Sequence, residues 1–165
     1  MKKEYNLCLI KVISLLSLGL IILSCAGPKI TTGINDAKAP TNTSIIYVQT
    51  DLDAESAYKK LGQTLQNRGY TFRSTNETLM SVSTEFIGAS QTYGVDDTFV
   101  RIGANVQGES NAKIVIRGWF KTLENENTQT GQTIKKFGQN RSAFRDAWKE
   151  MYQVADSLGG TLSFK

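Results

Sequence analysis

An uncharged, mostly apolar run of twelve residues, Val12 to Leu23, limits what this chain can become. Lys2, Lys3 and Lys11 stand in front of it, and Ser24 and Cys25 follow at once. A helix that crosses a bilayer needs ~20 apolar residues, so this run is too short to span one. It has the length and basic flank of the h-region of an export signal. The expectation is a disposable segment over residues 1–24, which leaves Cys25 to Lys165 to fold after export.

Composition then removes several kinds of chemistry. The chain has no histidine. Histidine is the side chain that titrates nearest neutrality and the commonest metal ligand. Its absence excludes Ser-His-Asp hydrolysis, histidine-bound zinc and haem ligation by histidine. The two cysteines are Cys8, inside the signal, and Cys25 at its end. The mature domain therefore has neither a disulfide nor a thiolate for metal or nucleophilic chemistry. No enzymatic activity and no cofactor are expected. Roughly 120 residues can bury a core without such staples. Of the formal charge of +4, the signal supplies Lys2, Lys3, Lys11 and Glu4, leaving +2 for the rest. No basic run interleaved with aromatics points to nucleic acid as a partner.

The residues Ile22-Leu23-Ser24-Cys25 resemble the lipobox of bacterial lipoproteins: a branched apolar residue, a second apolar residue, a small residue and cysteine. The resemblance implies a diacylglyceryl group on the Cys25 thiol, cleavage before it and acylation of the new amine. One acyl chain holds a protein only marginally and two signals hold it stably, so three chains imply a lasting membrane anchor at Cys25. Ala26 is not aspartate, which in a Gram-negative envelope implies the outer rather than the inner membrane. The other reading of these residues is an uncleaved signal-anchor with an incidental cysteine.

Cys25 to Ser44 reads as the lipidated cysteine and a flexible tether, rich in Thr, Gly, Asn and Ala and without aromatics. The stretch after Cys25 has an r.m.s. reach of roughly 25 Å as a coil. Residues 45–165 then form one α+β domain. Ile45 to Val48 is a short β-favouring run. A helix is expected from Ala54 to Arg68, capped by Asp53, with Ala57, Tyr58, Leu61 and Leu65 on one side and Gly69 as its stop. Met80, Val82, Thr84 and Phe86 alternate with polar residues, as do Val100, Ile102, Ala104 and Val106. A turn is expected at Gln107 to Asn111. Ile114, Ile116 and Phe120 face inward on the next strand, with Lys113, Val115, Arg117 and Trp119 on its other face. Ile134 to Phe137 is a possible fifth strand, and Thr161 to Lys165 a possible edge strand. The closing helix runs from Arg141 to Leu158, with Phe144, Trp148, Met151, Ala155 and Leu158 as its core stripe. The order is β-α-β-β-β-(β)-α: an antiparallel sheet of four to five strands with two helices packed on one face.

That order, with the lipobox, resembles small α+β envelope lipoprotein domains. Examples are the helix-grip domains of the lipoprotein in the outer-membrane β-barrel assembly machine, and TBP-like domains. The likeness covers Ile45 to Leu158 in element order alone and transfers no functional residue.

Five constellations carry candidate chemistry. Asp51 and Asp53 form either a cation site or, as expected, a helix cap, since the calcium-loop spacing is absent. Asp96 and Asp97, with Glu85 or Glu109, form either an acid pair for glycan hydrolysis or a solvated turn. Val115, Arg117 and Trp119 form either a docking patch, because Trp and Arg are enriched among interface hot spots, or a face on which the polar loop, the C-terminal strand or a helix covers Trp119. Trp148 and Met151 read as core. Arg141, Arg145 and Lys149 form a basic ridge with Asp146 and Glu150 beside it, to meet anionic lipid or simply water. The leading expectation is a lipid-anchored, non-catalytic binding or assembly module whose partner is another envelope protein. A carrier with an apolar pocket between helices and sheet is the alternative.

Overall fold

The structure, a computed structural model, describes residues 39–89, 98–122, 131–136 and 142–165. In chain order its elements are β1 (Ile45–Gln49), α1 (Ala54–Asn67), β2 (Phe72–Asn76), β3 (Ser81–Thr84), β4 (Ile87–Gly88), β5 (Thr98–Gln107), β6 (Lys113–Thr122), β7 (Gln132–Thr133), α2 (Ser142–Ser157) and β8 (Thr161–Phe164). The eight strands form one sheet, in the order β2-β3-β5-β6-β1-β8, with every ladder antiparallel. This is the expected α+β architecture with a larger sheet.

The strictest alternation in the sequence becomes the centre of the sheet. β5 and β6, ten residues each, pair along their whole length from Thr98↔Thr122 to Gln107↔Lys113. Each is flanked by a strand in two pieces. β3 pairs with β5 around Ala104, and β4 takes over around Val100. β1 pairs with β6 up to Arg117, and β7 takes over at Trp119. At the break between β3 and β4 the buried Thr84 hydroxyl accepts the Ile102 N–H at 3.0 Å and donates to the Glu85 carbonyl at 3.0 Å. A side chain thus supplies an acceptor where the ladder steps.

Both helices cover the face that carries Ile46, Val48, Val100, Ile102, Ile114 and Ile116, all fully buried. α1 contributes Ala57, Leu61 and Leu65, and α2 contributes Trp148, Met151 and Val154. Full burial of each large apolar side chain contributes ~1.5–3 kcal/mol. α1 begins as expected, with Asp53 Oδ1 accepting the Ser56 N–H at 2.8 Å. It ends in a Schellman turn: Gly69 at φ +83° donates to Gln66, and Tyr70 donates to the Leu65 carbonyl at 3.0 Å.

The helices are tied to each other by a pairing the sequence conceals. Arg68 forks onto Glu150, with Nε donating to Oε1 at 3.1 Å and Nη2 to Oε2 at 2.7 Å. Tyr70 adds its hydroxyl to Oε1 at 3.3 Å. Burial pushes the Tyr70 hydroxyl pKa well up, and the neighbouring Glu150 charge adds to the shift. Glu150 is therefore a buried anchor, 8% exposed, rather than part of a solvated ridge.

Three further expectations change. β2 is an additional strand with four of its five residues exposed, so no apolar alternation marked it. β7 lies at Gln132–Thr133, just before the buried Ile134, rather than at Ile134 to Phe137. Phe86 does not continue the inward face of β3, because the step after Thr84 turns it to the other side of the sheet. Ahead of β1, Ala39 and Thr43 are buried, and the Asn42 N–H donates to the Lys136 carbonyl at 2.7 Å. The end of the expected tether is thus held against the residues that follow β7.

Candidate functional site

Neither described helix lies on the second face of the sheet, and the β5–β6 register decides which residues meet there. Read across the pair, its outward residues are Phe99↔Lys121, Arg101↔Trp119, Gly103↔Arg117, Asn105↔Val115 and Gln107↔Lys113. Phe86 joins them from the β3–β4 step. The Arg101 guanidinium stands 4.9 Å from the Phe86 ring centroid and 4.9 Å from that of Trp119. Lys121 Nζ lies 5.2 Å from Phe86 and 5.7 Å from Phe99. The result is a continuous run of alternating ring and cation: Trp119, Arg101, Phe86, Lys121, Phe99. Each contact of this kind contributes ~0.5–1 kcal/mol at exposed sites. At the other end of β6, Lys113 Nζ stands 5.5 Å from the Tyr47 ring.

The indole packs closely on the sheet because of a glycine. A Cβ placed on Gly103 would lie 2.9 Å from Cζ3 of Trp119, so the indole rests against the backbone of β5 instead of projecting. Trp119 and Arg101 are half-buried, and Arg117 beside them is exposed. Burial lowers the Arg101 pKa, Arg73 lowers it further by like charge, and Glu85 opposes both.

The sequence-predicted patch is brought together in part. Arg117 and Trp119 lie on this face as expected. Val115 is 2% exposed, so it belongs to the packed body of the sheet and not to its contact surface. Its register neighbours are Tyr47 on β1 and Asn105 on β5. Phe86, Phe99, Arg101 and Lys121 had no place in the patch expected from sequence. Arg101 and Lys121 stood in plain sight on the polar faces of alternating strands, but only the register makes them neighbours of aromatics.

The remaining candidates separate. Asp53 caps α1 through Ser56, and hydrogen bonds from the Ser56 backbone and hydroxyl hold its carboxyl below the usual range. Asp51, Glu85 and Glu109 are exposed, and Asp96 and Asp97 lie outside the described residues. Among the described residues, no group of three or more His, Cys, Asp or Glu is placed to hold a metal ion. Arg145 and Lys149 are exposed on α2, with Arg145 Nε 3.9 Å from Asp146, and Arg141 lies outside the described residues. Trp148 and Met151 are core. Cys25 lies outside the described residues as well. No described helix is long and apolar enough to cross a membrane.

Between α1 and the β2–β3 hairpin lies a groove of about 200 Å³, lined by Tyr58, Gly62, Phe72 and Val82 among others. It sits at the sheet edge, whereas the space between helices and sheet is occupied by Trp148, Met151, Leu61 and Ile102.

No protein-family model and no curated protein matches the sequence. Among solved structures, the chain is similar to a DUF4468 family protein from Bacteroides ovatus at 13% identity, covering 72% of this chain and 80% of that one with a TM-score of 0.35. A likeness of that size carries no argument about role.

Proposed function

We propose that this chain is a lipid-anchored, non-catalytic docking module of the bacterial cell envelope. Cys25 carries the lipid anchor, and the open face of β5 and β6 is what the module presents to a protein partner. The observation that carries the reading is the ring-and-cation platform on a sheet face that neither described helix covers. Aromatic and arginine side chains fixed in place lose little freedom on binding, which is why they dominate interface energetics.

The experiment places a photo-crosslinking residue at Arg117 in the full-length protein in its own cells, with Lys149 on α2 as the control position. A discrete protein adduct is expected from Arg117 and not from Lys149. Trp119→Ala should reduce that adduct about tenfold or more, the loss typical of a hot-spot residue. Gly103→Ala should act in the same direction by displacing the indole. An adduct of equal yield from Trp119→Ala protein, with the fold intact by circular dichroism, would rule the face out.

A further inference from the structure

Charge is sorted along the described strands in a way that bears on the chemistry of a partner. The eight strands contain Arg73, Arg101, Lys113, Arg117 and Lys121, and not one Asp or Glu. Four of these cations belong to the β5–β6 pair, at positions that alternate with its buried residues. Arg73 adds its like charge to Arg101, and Glu85 is the described carboxylate whose field opposes it. Like charges gathered on one sheet face repel. An anionic partner removes that repulsion on binding.

The spacing gives the cluster a shape. Lys113, Arg117 and Lys121 recur at every fourth residue along one face of β6. At ~3.4 Å per residue they stand about 14 Å apart, with Trp119 between the last two. An extended polypeptide has the same rise, so carboxylates four residues apart along it match this row. The rings favour such a segment over lipid: Trp119 is half-buried with the rim of its indole against Gly103, whereas an interfacial anchor projects its aromatic into the headgroup layer. The geometry points to an extended acidic protein segment, bearing Asp or Glu, as the partner of the open face, with Arg117 and Lys113 as its principal carboxylate contacts. This inference rests on the docking role proposed above.

The test uses the full-length protein in non-ionic detergent and a fluorescent poly-L-glutamate probe, with poly-L-glutamine as the neutral control, read by anisotropy. Poly-glutamate is expected to bind, poly-glutamine not, and binding should weaken as salt is raised. Arg117→Gln with Lys113→Gln should weaken it about tenfold or more, while Arg145→Gln with Lys149→Gln on α2 should leave it unchanged. Both pairs keep the strand and helix residues that form the core. Failure of poly-glutamate to bind, or equal loss from the α2 pair, overturns the inference. So does displacement by an equal concentration of a short-chain phosphatidylglycerol, which would assign the face to lipid headgroups. Loss of the Arg117 crosslink in Trp119→Ala protein combined with no poly-glutamate binding would leave the docking role standing and remove the acidic partner alone.

Discussion

Asp53 shows how much a single residue fixes when its partners are local. Its carboxylate accepts from the Ser56 backbone at 2.8 Å and from the Ser56 hydroxyl at 2.8 Å, so the charged form is favoured and the pKa falls below the ordinary 3.8. A carboxylate depressed in the folded state contributes stability above its unfolded pKa and loses it as pH falls through the folded value. The stability advantage of wild type over Asp53→Ala should therefore be full at neutral pH and narrow below about pH 4, measured by urea unfolding across a pH series. Asn, an equally good cap that does not titrate, should keep its advantage in acid. Both residues of this contact lie within one turn, which is why the cap was legible from sequence. Val115 is the opposite case. Its alternation with Ile114 and Ile116 correctly predicts the outward side of β6, but its burial at 2% depends on the strands beside it.

Among elements, α1 and α2 were legible from their apolar stripes and stop signals, and their mutual tie was not. Arg68 and Glu150 are far apart in sequence and meet only once both helices are seated, with side chains 26% and 10% exposed. Arg68→Ala should leave the Glu150 carboxylate near-buried with the Tyr70 hydroxyl, at a cost of about 2–3 kcal/mol in denaturant unfolding. The double variant Arg68→Met with Glu150→Leu should cost less than either truncation alone, because no charge is stranded. The β5–β6 hairpin teaches a related lesson. Its five-residue connection runs from Gly108 to Ala112, one residue later than the turn read from sequence. Shifting a turn by one residue moves every cross-strand partner by two, and the earlier turn would have set Arg101 opposite Arg117 instead of Trp119. The strands survive that error, whereas the site does not.

At the scale of the whole molecule, the proposed reading joins two parts: a lipid on Cys25 would keep the domain at a membrane, and the face of β5 and β6 would engage what passes near it. Cys25→Ser should abolish incorporation of a palmitate label and move the protein out of the membrane fraction, while its circular dichroism stays that of the wild type. Retention of label and membrane association in that variant would count against lipid attachment at this residue. The sheet also carries an exposed polar edge at β2, whose charged and hydroxylated residues discourage strand-to-strand aggregation.

By itself the sequence determined whatever depends on neighbours a few residues away: the Asp53 cap of α1, the apolar stripes and glycine stops of both helices, and the inward set of β5 and β6. These follow from periodicity and capping, which a chain carries wherever it goes. Tertiary structure alone decided that Phe86 crosses to the open face, that Glu150 is buried under Arg68, and that Arg101 lies between Phe86 and Trp119. Each depends on strand register or helix seating, and those are set by contacts distant in sequence whose energies no local window contains.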